Sequence, residues 1–240
     1  MTGPGPTPWA AIDATWPPVR SWRVGAWTLR DGDGAGRRTC AATLEEPAGV
    51  ESVAEAEAAM RDAGLAPLFM VRGGEEALDA QLTARGYVME EPSIFLIAPI
   101  ARIAAFDRKG LAAIRTDGRL ARMDEIWEAG GIGPGRRAAI DRVTGPRLCL
   151  LGRAGDRPAG VVFVAVAGDI AMIHALVTLP AFRRQGVAQA LTGGAASWAM
   201  EQGATHFALQ VARGNPAANV LYVGMGMEEV GHYHYRRREP

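Results

Sequence analysis

The sequence is short of several things at once. It holds two cysteines, Cys40 and Cys149, each inside an apolar strand-like segment, with no Cys-x-x-Cys pair and no cluster of His or Asp nearby. Both are expected as buried, reduced thiols, which disfavours a metal centre and a cysteine acyl-enzyme. Net charge is absent too, because twenty-six basic residues face twenty-six acidic ones. No field draws such a chain onto nucleic acid or an anionic membrane. The longest apolar stretch, Gly160 to Leu179, is broken by Gly168-Asp169 and His174, so no bilayer span is expected. Residues 1 to 20 carry Pro, Trp and Asp where an export signal needs a basic start and an apolar run, and a cytoplasmic location follows by default. What the chain does have is apolar side chain, 48% of 240 residues, enough for one large core or two small ones.

The Pro-rich start, with Trp9 and Trp16, is expected to wrap over the surface. Strands over Ser21 to Arg30 and Arg37 to Leu44, joined by Asp31-Gly32-Asp33-Gly34-Ala35-Gly36, form a hairpin signal. A helix is predicted from Val53 to Ala63 with Gly64 as its stop, then a strand from Leu68 to Val71. A helix opened by Gly73-Gly74-Glu75 and ended by Gly86 follows, and then a strand from Val88 to Ala98. The second half predicts helices over Arg119 to Gly130 and Arg136 to Val143, and strands over Arg147 to Arg153, Gly160 to Ala167 and Ile170 to Thr178. It closes with a helix from about Gly186 to Gln202, a strand (His206 to Val211), a helix (Pro216 to Gly224) and a strand (Met227 to Tyr235). The order β-α-β-α-β thus occurs twice. Sliding the chain against itself by 140 residues aligns Ala56 with Ala196, Ala59 with Ala199, Met60 with Met200, Val71 with Val211, Gly74 with Gly214, Ala77 with Ala217 and Gly86 with Gly226. The expectation is two copies of one mixed α/β fold, residues 1–103 and 104–240.

Chemistry concentrates in the run from Leu176 to Ala188, where a strand breaks at Pro180, a basic loop follows, and a helix begins at Gly186. The first N–H groups of a helix lack internal partners and its dipole favours negative charge, while Gly186 and Ala188 let a pyrophosphate approach the backbone. A βα junction also carries Arg and Gly merely for turn geometry. Arg183 to Ala188 resembles the Q/R-x-x-G-x-G/A loop of the GNAT N-acetyltransferases, with Pro180 in that family's V-x-P-x-x-R lead-in. A second segment, Asn215-Pro216-Ala217-Ala218-Asn219-Val220-Leu221-Tyr222 followed by Gly224-Met225-Gly226-Met227, resembles the family's N-x-x-A-x-x-L-Y-x-x-x-G-F motif, with Met227 in place of the aromatic. The resemblance covers about residues 112 to 235. It implies a mixed α+β fold of two tandem GNAT-like domains, each a mostly antiparallel twisted sheet flanked by helices.

By the same resemblance, amides of Arg183, Arg184, Gln185, Gly186, Val187 and Ala188 hold the pyrophosphate of acetyl-CoA as co-substrate. Backbone groups of Leu176, Val177 and Thr178 meet its pantetheine arm, Thr178 standing where the family more often has Val. Tyr222 is expected as the general acid for the thiolate leaving group, its competing role being a core tyrosine. Asn215 is either a helix cap or a pantetheine ligand. His174, four residues before Thr178, shares by strand parity a face with Leu176 and Thr178. Its position resembles that of a histidine in the arylalkylamine acetyltransferases, which makes it the candidate base, against a bland reading as a hydrogen-bonded core residue. His232 and His234 receive no catalytic role, and Ser197 lies inside a helix.

In the first half, Glu75 replaces Asn215, Leu82 replaces Tyr222, and Glu45-Glu46-Pro47 lies where Gln185-Gly186-Val187 lies. Acidic groups repel phosphate, so that copy should hold no coenzyme. Trp16, Trp22 and Trp27 are candidates for acceptor recognition as well as for core packing. The expected function is direct transfer of the acetyl group of acetyl-CoA to a primary amine of a small molecule or peptide, with no metal, nucleic acid or membrane partner. A non-catalytic acyl-CoA-binding sensor and a general nucleotide-binding protein stand as alternatives. The acceptor and the oligomeric state, a homodimer among the options, are left open.

Overall fold

The computed structural model describes residues 8–46, 51–106, 113–116 and 118–238. Expectations for residues 1–7 and for Pro47 fall outside them. Where irregular chain was expected, helix α1 (Pro8–Thr15) forms, and Ala11 and Ile12 drive it onto the sheet against Phe95, Ile170, Met172 and Ala208. The strand expected over Ser21 to Arg30 is instead folded back on itself. Gly25, at φ 52°, turns the chain between β1 (Arg20–Val24) and β2 (Trp27–Asp31). Residues 37–42 do not extend the ladder either. Arg37–Thr39 is a 3-10 turn, and only β3 (Thr43–Leu44) pairs with β2. The buried Arg30 guanidinium donates to Ala41 O (3.1 Å) and Thr43 Oγ1 (2.8 Å) and meets Asp13 at 2.8 Å, taking the place of ladder partners.

The remaining elements follow the sequence pattern to within a few residues: α2 (Glu51–Asp62), β4 (Leu68–Arg72), α3 (Glu76–Ala84) and β5 (Val88–Pro99) in the first half. In the second come α5 (Ala121–Ala129), α6 (Pro134–Arg142), β7 (Arg147–Ala154), β8 (Arg157–Ala167), β9 (Ile170–Thr178), α7 (Val187–Glu201), β10 (His206–Ala212), α8 (Pro216–Gly224) and β11 (Glu228–Arg237). Two short elements were not anticipated, α4 (Ile100–Ala104) and β6 (Ala113–Thr116).

Strands β1 to β3 form a small antiparallel sheet, and the other eight form one mixed sheet in the order β4-β11-β5-β10-β9-β8-β7-β6. The last strand of each half is lent to the other. Strand β5 lies between β10 and β11, and β11 lies between β4 and β5. Leu209 stands opposite Leu96, Tyr233 opposite Ser93, and His234 opposite Val71. Asp79 of α3 fastens the exchange by accepting from Arg236 and pairing with His234 (2.6 Å) on β11, and the Arg236 guanidinium holds its carboxyl below the usual range.

The repeat is visible in backbone geometry. Gly64 (φ 76°) and Gly203 (φ 89°) end α2 and α7, and Gly86 (φ 80°) and Gly226 (φ 82°) end α3 and α8. The first pair are 139 residues apart, so over these two helices the 140-residue alignment is one position out. Burial agrees: Val53, Ala56 and Met60 match the fully buried Thr192, Ala195 and Ala199, whereas Met200 is 44% exposed. On one face of the sheet α7 buries Val187, Leu191 and Trp198 as expected. On the other, Trp16, Trp127 and Phe163 are enclosed beneath α1, α5 and α6. Cys149 and Cys40 are free, Cys149 buried with its thiol pushed up to about 12 by desolvation and Cys40 half-buried. Among the described residues no helix is long and apolar enough to cross a membrane.

Phe95, fully buried on an exchanged strand and edge-on to Trp9 at 5.4 Å, packs where the halves meet. Phe95→Ala is expected to cost about 3–5 kcal/mol in urea unfolding. Because the sheet is shared, fluorescence and far-UV signals should still report a single coincident transition. Two separated transitions would show that the halves stand alone.

Candidate functional site

Among the described residues, strands β9 and β10 are the one parallel pair of strands in the large sheet, and they pair only across His206↔Ile170, Phe207↔Ala171 and Ala208↔Met172. Beyond Met172 they part. Strand β9 carries one extra residue there, since Val177 stands opposite Val161 while His174 stands opposite Phe163. The bulge is fixed at Ala175 (φ 51°), whose carbonyl accepts a 2.7 Å hydrogen bond from Trp127 Nε1 of α5. Strand β10 meanwhile stays paired to β5 through Ala212. The edge of β9 that faces away from β8 is unpaired from Ile173 to Thr178, and this edge, which includes Leu176, Val177 and Thr178, lines one wall of a wedge.

The wedge opens toward the basic loop. After Thr178 a 3-10 turn (Pro180–Phe182) leads to Arg183, and Arg184 (φ 62°) and Gly186 (φ 84°) adopt left-handed conformations just before α7. A substituent at Gly186 would be strained there. Helix α7 has no side-chain cap; the Arg183 amide, expected to be open, donates to Pro180 O (3.3 Å), whereas among the described residues the amides of Arg184, Gln185, Gly186, Val187, Ala188 and Gln189 have no acceptor. Arg183 and Arg184 are exposed and meet no carboxylate among the described residues. Gln185 instead ties the loop by donating from Nε2 to Ala181 O at 3.0 Å. Gly160 allows α7 to sit close, because a Cβ there would stand 2.6 Å from Val177 O and 3.1 Å from Leu191. These features form a cationic, donor-rich cradle suited to a pyrophosphate.

The second motif folds as α8. Asn215 caps it, its Oδ1 accepting from Ala218 N at 3.2 Å. Asn219, one turn on, donates from Nδ2 to Ala212 O (3.0 Å) and Asn215 O (2.8 Å), and its buried Oδ1 is left without a partner. Tyr222 is 6% exposed and belongs to the core cluster that also holds Ile173, Leu209 and Val211. Its hydroxyl has no hydrogen-bond partner among the described residues, and desolvation raises its pKa, so it stays protonated at neutral pH.

The expected face of His174 is corrected by the bulge. The extra residue reverses strand parity, so Leu176 packs on the α7 side while His174 lies on the other, against Trp16 (centroids 5.0 Å) and Phe163. Both ring nitrogens are occupied. Nδ1 faces Arg38 Nη2 at 3.4 Å, and since guanidinium only donates, Nδ1 accepts. Nε2–H therefore donates to Thr15 Oγ1 (3.0 Å), which donates to Ala11 O (2.7 Å). A base needs a free lone pair, and this imidazole has none. Arg38 reaches it from the first half and also donates to Gln210 Oε1 of β10, bridging the two parting strands. Arg38, Arg136 and Gln210 escape a motif search because their meeting depends on the tertiary fold, and Asn219, inside the second motif, is given no role by the resemblance.

The first half contains the same wedge in closed form. Ala42 and Phe69 make a lone parallel bridge, and beyond it Arg72 spans the gap, donating to Leu44 O and to Glu75 Oε1 (2.9 Å). Glu45, Glu46 and Glu75 line the cavity there. Leu82, fully buried, stands at the tyrosine's place. Of the three tryptophans, Trp27 is core, Trp22 lies under Arg20 (4.9 Å), and Trp16 alone reaches the second-half wedge.

The model of the acetyltransferase (GNAT) family matches residues 117–227. Among solved structures, a GCN5-related N-acetyltransferase from Kribbella flavida is similar at TM-score 0.74 and 18% identity, over 97% of this chain and 94% of that one. A functionally unknown conserved protein from Staphylococcus epidermidis is similar at TM-score 0.71 and 10% identity, over 91% and 92% of the two chains. A tandem GNAT protein from the clavulanic acid biosynthesis pathway is similar at TM-score 0.62 and 11% identity, over 93% and 85%. No curated protein matches the chain. The structural likeness establishes the fold, two tandem GNAT-like units of mixed α/β type.

Desolvation, then the charges of Arg38 and Arg136, hold the His174 pKa well below its ordinary 6.5. Below pH 6.5 the unfolded chain gains a proton at this residue that the folded chain refuses, so its contribution to stability is complete above 6.5 and is lost as pH falls toward the folded value. Urea unfolding between about pH 7 and about pH 5 should show a steeper loss of stability in the wild type than in His174→Gln. Equal slopes would mean that the ring protonates freely.

Proposed function

We propose that the chain, whose residues 117–227 match the model of the acetyltransferase (GNAT) family, transfers the acetyl group of acetyl-CoA to a primary amine. The observation that carries the reading is the row of partnerless amides from Arg184 to Gln189, set at the mouth of a wedge that ends beside an unpartnered tyrosine hydroxyl. The residues present fit the co-substrate. The amides from Arg184 to Ala188 with Gln189, backed by Arg183 and Arg184, take its pyrophosphate. The free edge of β9 over Leu176, Val177 and Thr178 takes the pantetheine amides, with Asn219 Oδ1 as a further acceptor. Asn215 serves as the helix cap.

Acetyl-CoA bound there supplies an activated acetyl group: the neutral amine nitrogen bonds to the carbonyl carbon, the C–S bond breaks, the sulfur leaves as a thiolate, and the proton shed by the nitrogen passes through solvent to that thiolate to give the free coenzyme thiol. Tyr222 offers its O–H to that sulfur. A thiol ionises near about 8.5, well below a phenol whose pKa burial has raised. Its preferred act is therefore a hydrogen bond to the developing thiolate, with full proton transfer the harder step. His174 is a positioning residue in this scheme, holding Arg38 across the strands. We divide the chain into residues 1–103 and 104–240, of which the second binds coenzyme and the first, plugged by Arg72 and lined by carboxylates, does not.

A thiol-release assay with acetyl-CoA against an amine library tests the activity and the acceptor class together. Tyr222→Phe is expected to lower kcat by about 10²- to 10⁴-fold with little change in acetyl-CoA affinity. Replacing Arg183 and Arg184 with Glu should instead weaken acetyl-CoA binding at least about tenfold, more at low salt. Acetyl-CoA binding without thiol release from any amine would support a sensor, and tighter binding of ATP would support a nucleotide-binding protein.

A further inference from the structure

On the face of the sheet opposite Tyr222, two guanidinium groups converge where β9 and β10 part. Arg38 comes from the 3-10 turn of the first half and lies over the Trp16 ring at 5.8 Å. It uses Nη1 on Gln210 and Nη2 on His174, while its Nε is buried with no partner. Gln210 Nε2, beside it, is likewise buried and unsatisfied. Arg136 is the third member. Gly135 packs so tightly on the 31–36 loop that a Cβ there would stand 2.8 Å from Gly34 O, and a Cβ on Gly36 would stand 3.9 Å from Arg136 Nε.

Among the described residues Arg136 makes no hydrogen bond or ion pair. Its pKa is lowered, first by burial and then by the charge of Arg38. The nearby carboxylate, Glu91, is committed to Arg37 at 3.0 Å. Two half-buried cations with no counter-charge of their own, beside two orphaned N–H donors, are costly unless an anion arrives. His174 does not relieve the charge, because it is neutral and accepts from Arg38.

We propose that the amine acceptor carries a compact anionic group, a carboxylate or a phosphate, which Arg38 and Arg136 clamp with Gln210 Nε2 as a further donor; this rests on the acyl-transfer reading above. The clamp stands at the apex of the wedge, so an acceptor held there presents its amine from one face of the sheet while Tyr222 meets the leaving sulfur from the other. Guanidinium forks match both oxyanions.

The test is thiol release from acetyl-CoA with α-amino acids and β-alanine, their methyl esters, the matching decarboxylated amines, and O-phosphoethanolamine. The anionic acceptors should exceed their neutral counterparts in kcat/KM by roughly 10- to 100-fold, the effect of a charged hydrogen bond. The better of the amino acids and O-phosphoethanolamine identifies the anion. Arg38→Gln and Arg136→Gln should raise KM for anionic acceptors far more than for neutral ones, with Arg38→Lys partly restoring it. Equal turnover of charged and neutral acceptors would overturn the proposal.

If acetyl-CoA binds but no acceptor is turned over, calorimetry with N-acetyl amino acids and O-phospho-N-acetylethanolamine into the coenzyme A-loaded protein decides. Binding that weakens at least about tenfold in the Arg38→Gln, Arg136→Gln double variant supports the clamp. No binding by any anion overturns it. Loss of acetyl-CoA binding in the wild type would instead sink the acyl-transfer reading itself, and the unfolding midpoint of each variant separates a lost clamp from a lost fold.

Discussion

Everything the second half can do chemically follows from two parallel strands that pair for three residues and then separate. Parallel pairing normally satisfies both strand edges along their length, so a separation leaves backbone donors and acceptors facing a gap. Here the separation is held by a specific contact. One inserted residue turns β9 outward at Ala175, and Trp127 Nε1 donates to the carbonyl that the bulge would otherwise leave unpaired. The gap is thus a maintained feature of the sheet, with polar edges that a polyamide chain matches.

The two halves then divide the work unequally because each keeps the other's last strand. With β5 and β11 exchanged, neither half completes its sheet alone, and the first half is held against the second whether or not it binds anything. Its own wedge has been closed by a side chain. Arg72 occupies Leu44 O, an acceptor of the kind that the second half leaves open, and acidic residues surround it. What the first half contributes across the junction is different in kind: Arg38 and Trp16, delivered to the second half's wedge by the 3-10 turn and by α1.

The sequence made the order of elements and the two motif segments around Gly186 and Asn215 readable, because helix-ending glycines, strand patterning and loop chemistry are local. Three things were hidden for one reason, that they depend on contacts between distant segments. The first was α1, whose apolar residues make sense only beneath Phe95 and Met172. The second was the irregular run after Gly36, where Arg30 replaces a ladder. The third was the face of His174, since strand parity carries no sign of an inserted residue. The same error of one position affected the self-alignment over α2 and α7, where alanines are too numerous to fix a register. Arg38 and Arg136 are ordinary arginines in sequence, and only the close approach of Gly135 to Gly34 brings them together.

That approach bears on what the first copy, its own wedge spanned by Arg72, contributes to the second. A single unit offers its acceptor only the residues around one wedge, and there the nearest histidine is buried, neutral and fully hydrogen-bonded. Charge has to come from elsewhere. A rigidly joined neighbour can hold a cation at the apex of the wedge without the entropy cost of a mobile loop, since Arg38 is anchored on Gln210 and His174 before any ligand arrives. With Arg72 and the carboxylates filling its own wedge, the surface of the first copy is free to be shaped by contacts across the junction.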